Sequence, residues 1–260
     1  MARVSVVIAL LLLGPVAGAD EGLPAVGVPA PGASAEVLVS RSRHLLLDVD
    51  NTPENLHAAL ASYGEALKRG LSSTAAASAY ADRALALLRL GDFQKSKQER
   101  QAYYDRGKLE AEKGILADAT YADAHFMRAA NLGSWMREKG VVRSLFLLGD
   151  LKAGFRKTLE LDPEHRRAKL SLARIDAQLP RLAGGSKKRA EQRYRTLLER
   201  DPHFTLGMIF YAEFLADQGR GDESIQWLKR ILAEAQPAEP ADFRRFDRSR
   251  AEVLLEQLAE

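Results

Sequence analysis

Residues 162–200 read DPEHRRAKLSLARIDAQLPRLAGGSKKRAEQRYRTLLER, and residues 201–235 read DPHFTLGMIFYAEFLADQGRGDESIQWLKRILAEA. Each stretch opens on Asp-Pro, and the step from Asp162 to Asp201 is 39 residues. At that offset Ala168 falls on Gly207, Leu170 on Ile209, Ala173 on Ala212 and Ile175 on Phe214. Upstream, Asp118 precedes Asp162 by 44 residues, and there Ala124, Phe126 and Ala129 fall on Ala168, Leu170 and Ala173. The second half of each stretch repeats at a different offset. Phe155 and Leu159 lie 39 residues before Tyr194 and Leu198, which lie 34 before Leu228 and Leu232. Gly185 and Gly219, and Ala190 and Ser224, keep the same step of 34. The repeating unit is therefore a pair of helices with a 34-residue core, and the extra residues sit in the turn inside the pair.

A period of 34 with a small residue on each facing helix is the tetratricopeptide pattern. The fold class it predicts is all-α, a tetratricopeptide-like helical-hairpin solenoid closed by a C-terminal capping helix. Every strong element is helical, and roughly ten to twelve helices are expected from periodicity.

From the N-terminus, Met1-Ala2-Arg3 leads into the apolar run Val4–Leu13, broken by Gly14-Pro15 and followed by Ala17-Gly18-Ala19. This is the pattern of a secretory signal peptide over residues 1–19. The run is shorter than the roughly 20 residues a membrane span needs. Residues 20–36, rich in Ala, Gly and Pro, read as a flexible leader. Residues 37–260 form the repeat domain. The chain has no cysteine, which removes thiolate zinc sites, thiol nucleophiles and a lipid anchor after the leader. Without residues 1–19 it carries 37 Lys and Arg against 35 Asp and Glu, a balance that does not call for nucleic acid. The expected location is a periplasm or the cell exterior.

Several helix boundaries are written in the sequence. Thr52, Pro53 and Glu54 make an N-terminus, Gly70 follows the end, and Leu56, Leu60, Tyr63 and Leu67 form the stripe to be buried. Gly91-Asp92 reads as a stop followed by an N-cap, the same role as Gly185 and Gly219. Between Val141 and Leu161 a bend is expected at Gly149 or Gly154. Pro180 to Ser186 is an overlong turn, with Ser186 as cap and Lys187-Lys188 placed against the helix dipole. Asp242 is the expected cap of a last helix that buries Phe243, Phe246, Val253, Leu254 and Leu258.

No constellation for catalysis or cofactor binding stands out, and the chain reads as non-enzymatic. The five histidines include no i, i+4 pair, and no metal is expected. His165 and His203 follow Asp-Pro in corresponding turns, where a shared site is conceivable but helix-start polarity explains them better. Gly184-Gly185-Ser186-Lys187-Lys188 lacks the Walker spacing. Phe126, Asn131, Trp135, Phe146 and Tyr211 are the candidates for a ligand groove. The competing reading is that the aromatics at helical spacing are core.

Gly91-Asp92-Phe93, Ala122-x-Ala124-x-Phe126-x-x-Ala129-Ala130-Asn131-Leu132-Gly133, Leu161-Asp162-Pro163, Pro180-x-x-x-Gly184-Gly185-Ser186-x-x-x-Ala190 and Asp201-Pro202 together resemble the T component (TatT family) of tripartite ATP-independent periplasmic (TRAP) transporters. The likeness covers about residues 37–235. It implies an accessory periplasmic scaffold that associates with the transporter's solute-binding protein, can form a homotrimer and offers a passage to a small hydrophobic ligand. This chain departs from lipid-anchored members because it lacks their cysteine. The alternative is a general tetratricopeptide adaptor in cell-envelope assembly, with no small ligand.

Overall fold

In the computed structural model, residues 32–50, 52–139 and 141–259 are described. The expected signal peptide, residues 1–19, and residues 20–31 of the expected flexible leader lie outside them. The described residues contain no strand, and the fold is the all-α helical-hairpin class expected from the repeats. They divide into two compact units that meet between His165 and Arg166.

The first unit begins with α1 (Ala35–Arg43), capped by Ser34 and prolonged by a π-helical turn, His44–Asp48. Then come α2 (Pro53–Lys68), α3 (Ser73–Asp92), α4 (Lys97–Ala117), α5 (Ala122–Lys139) and α6 (Val141–Leu161). Thr52 Oγ1 accepts from the Asn55 amide and Pro53 opens α2, as its sequence predicts. The buried stripe of α2 is shifted from the expected one. Leu56, Ala59, Tyr63 and Ala66 are fully buried, whereas Leu60 and Leu67 are half-buried. Small residues let Leu56 and Tyr63 set the packing distance.

Gly91 and Asp92 do not separate two helices. Both lie in α3, and the N-cap of α4 is Ser96, whose capping box with Glu99 is complete. Gly91 is small for a different reason: any side chain there would overlap the ring of Tyr104, which is fully buried. Similar close approaches set the other hairpins. Gly114 faces Ala124, and a methyl on Gly154 would come within 2.7 Å of Ala129 Cβ. α6 runs as one helix through both Gly149 and Gly154. Arg89, at 2% exposure, donates to Leu46 O at 2.6 Å and holds the end of the first segment against α3.

The second unit contains α7 (Arg166–Gln178), a 3₁₀ turn at Arg181–Ala183, α8 (Lys187–Arg200), α9 (Thr205–Asp217), α10 (Gly221–Leu232), α11 (Pro240–Asp242), a π turn at Phe243–Asp247, and α12 (Arg248–Ala259). α7 packs on α8, α9 on α10, and α12 closes on α10. Gly219, at φ 75°, takes the left-handed stop expected of it. In the longer turn that role belongs to Gly184, at φ 82°, and not to Gly185. Gly185 is instead pressed against the backbone carbonyl of Leu179.

The C-terminal segment also differs from expectation. Asp242 is inside α11 and caps nothing; its carboxylate receives the Arg167 guanidinium. Phe243 and Phe246 are buried, but Val253 is 48% exposed and Leu254 and Leu258 are half-buried.

Candidate functional site

Five residues carry the expectation of a ligand groove, and their surroundings differ sharply. Phe126 on α5 is 4% exposed, with its ring centroid 5.7 Å from Phe155 and 4.7 Å from His165. His165 in turn pairs with Asp123 at 2.9 Å, so a polar lid lies over an apolar ring. Asn131, one and a half turns on, is fully buried. Its amide donates to Met127 O at 2.9 Å and Ala84 O at 3.3 Å, and Gly107 of α4 leaves room for it. A buried amide that bonds α5 to α3 beneath a glycine of α4 is a packing device with a specific register.

Trp135 is half-buried. Its indole donates to Asp105 Oδ2 at 2.9 Å, and Lys139 Nζ sits 4.7 Å from the ring centroid. Phe146, near the start of α6, is 84% exposed. Tyr211, in the second unit, is closed off among Tyr194, Phe214 and Trp227 at ring separations of 5.5, 6.2 and 5.4 Å. Its hydroxyl accepts from Arg195 at 3.1 Å, and burial raises its pKa. Within the first unit, then, Trp135 and Phe146 retain contact with solvent, whereas Phe126 and Asn131 are core. Tyr211 is core in the second.

The ionisable groups are largely committed to one another. Tyr63 donates to Asp82 at 2.8 Å, and Arg43 donates to Asp82 at 3.3 Å and to Ser78 at 2.9 Å, tying α1, α2 and α3 together. Burial pushes the Asp82 carboxyl up, against the pull of Tyr63 and Arg43. Arg128 of α5 bridges Glu112 of α4 and Asp150 of α6 at 3.2 Å each. His165 and His203 each have a carboxylate of their own, Asp123 and Glu234. Among the described residues no group of three His, Asp or Glu side chains could hold a metal ion.

Two features of the second unit escaped the sequence reading. Arg167 forks onto both oxygens of Glu239 at 2.8 and 2.7 Å and also reaches Asp242. Burial alone would lower the Arg167 pKa, but the two carboxylates outweigh it and raise it. Asp247, 1% exposed, accepts from the Thr205 hydroxyl at 2.6 Å, and burial pushes its carboxyl up to about 8. The sequence signal for both was faint: an arginine early in a helix, and an aspartate within an aromatic-basic run.

Residues 182–245 match the tetratricopeptide repeat family. No curated protein matches the chain. The crystal structure of a thermophilic tetratricopeptide repeat protein from Thermus thermophilus is similar to it with a TM-score of 0.64 and 16% identity, over 86% of this chain and all of that one. That likeness establishes a shared fold. A tetratricopeptide repeat protein from Parabacteroides merdae covers 86% of this chain and 92% of its own length at 13% identity, but with a TM-score of 0.40 the two overlay too loosely to compare in detail. What the chain carries is therefore tetratricopeptide architecture, the class of scaffold whose repeated helices present an extended surface.

Proposed function

We propose that the protein is a non-enzymatic scaffold that binds another protein through its helical hairpins. The repeat architecture, matched over residues 182–245, carries this reading. The finer proposal is that the partner is the solute-binding protein of a TRAP transporter and that the chain works in the periplasm. Support for it comes from the Asn131-Leu132-Gly133 helix, the Pro180 to Ala190 turn and the apolar leader sequence. A homotrimer follows from the same resemblance. Passage of a hydrophobic ligand rests on the half-buried Trp135 and exposed Phe146, because Phe126, Asn131 and Tyr211 are packed inside.

That burial favours a second reading, an envelope-assembly adaptor that holds protein and no small ligand. Crosslinking in intact cells, followed by purification of this chain and mass spectrometry, separates the two. The transport reading expects a TRAP solute-binding protein as the dominant crosslinked species. Dominance of outer-membrane or cell-wall assembly factors would replace it with the adaptor.

A further inference from the structure

The turn between α7 and α8 is longer than a helical hairpin needs, and it is rigidly built. Ser186 N donates to Asp176 O at 2.9 Å, and Lys187 Nζ donates to Ala177 O at 2.6 Å. Arg189 forks onto Asp176 at 2.7 and 2.6 Å and reaches Gly184 O at 2.8 Å, and Arg193 joins Asp176 at 3.0 Å. At the tip of this frame stands Leu182, 103% exposed, the most exposed large apolar side chain among the described residues. Arg181, Lys187 and Lys188 flank it, all exposed. Arg181 and Lys188 have no ion-pair partner among the described residues. Lys187 is tied to the end of α7 by its bond to Ala177 O, whereas Lys188, beside it in the first turn of α8, only works against the helix dipole.

We propose that the α7–α8 tip is a reversible docking point for an anionic phospholipid surface, with Leu182 entering the headgroup–acyl boundary and Arg181 and Lys188 meeting phosphates. A single aliphatic knob on a hairpin tip offers far less than the roughly 800 Å² per partner of a specific protein interface. A bilayer needs no matching socket, and it rewards apolar insertion combined with basic charge. The α9–α10 turn differs: it carries Asp217, Asp222 and Glu223, and its Arg220 is bonded to Glu223 and Glu191. This inference is independent of which protein partner the scaffold holds.

The test compares the full chain with the double variant R181E/K188E, so that the N-terminal apolar run is common to both. The probes are vesicles of phosphatidylcholine alone and with about 30% phosphatidylglycerol. The expected result is co-sedimentation with the anionic vesicles at low salt, about tenfold weaker for the double variant and lost at high salt. Lys188→Glu improves the helix dipole, and unchanged circular dichroism excludes unfolding as the cause. A separate L182W variant should show blue-shifted emission, quenched by lipids with brominated tails in anionic vesicles only, over the background of Trp135 and Trp227. Equal binding of the parent and double variant, or unquenched L182W, overturns the proposal. Loss of the vesicle signal with retained binding of inorganic phosphate would make the tip a soluble-anion site and would also overturn it.

Discussion

Gly107 shows how much of this fold depends on one missing methyl group. A side chain there would overlap the Asn131 amide, which is fully buried and donates to two carbonyls. The atom struck first is Oδ1, which has no hydrogen-bond partner, and moving the amide away would break both bonds of its Nδ2. Gly107→Ala should therefore cost about 2–4 kcal/mol, read from the urea midpoint. Gly149 is the control, since nothing lies within 4 Å of an added Cβ and it sits inside α6. Gly149→Ala should stabilise by about 0.5–1 kcal/mol. If both variants shift the midpoint alike, the Asn131 contact is not the cause. Sequence reading did not separate these two glycines, because the difference lies on the neighbouring helix. It also took Gly91 for a helix stop when the ring of Tyr104 is what requires it.

At the scale of elements, caps were legible where the signal was local. Thr52-Pro53 was readable, and so was Ser186. Ser96 and Glu99 had the spacing of a capping box, but Gly91-Asp92 gave a competing signal five residues earlier. Ser96→Ala should cost about 1 kcal/mol and speed amide exchange in the first turn of α4. Unchanged exchange there would mean that tertiary packing alone fixes the helix start. The C-terminal segment was harder to read because long-range charges hold it. Burial raises the Asp247 carboxyl to about 8, and Asp242 and Glu239 add to the rise, while Thr205 and Arg167 oppose it. In the unfolded chain the same group titrates near 4. Between those values the folded protein keeps a proton that the unfolded chain releases, so stability falls as pH rises and levels off above about 8. From pH 5 to 8 the loss is on the order of 3–5 kcal/mol. The sign is opposite for Glu110. Burial would raise its pKa, but Arg83 and Lys113 hold it low, and its contribution is lost on acidification below its usual range. Thermal melts across this window should show the highest midpoint in mildly acidic buffer. Asp247→Asn should flatten the decline toward pH 8. A decline that persists in the variant would assign it to another group.

For the whole molecule, the repeat offsets were sufficient to read an all-α hairpin fold. They recur in the sequence because each hairpin repeats the same small-residue contacts, such as Gly154 on Ala129. The groove was not legible. Helical spacing marks which residues share a face, but it does not say whether a further helix covers that face. Phe126 and Tyr211 lie under such cover, whereas Phe146 does not. Periodicity also runs through residues 162–235 without marking that compactness breaks at His165/Arg166. In repeat proteins each hairpin is stabilised by itself and its nearest neighbours, so damage should stay local. Leu228 on α10 is fully buried in the second unit. Leu228→Ala should cost about 2–5 kcal/mol there by opening a cavity. Native-state hydrogen exchange should then show faster exchange of the slow amides in α9, α10 and α12, which pack together. The slow amides of α3, α4 and α5 belong to the other unit and should hold their protection within about 0.5 kcal/mol. A uniform loss of protection through both units would mean that they unfold as one cooperative body, and the division at His165/Arg166 would then have no thermodynamic counterpart.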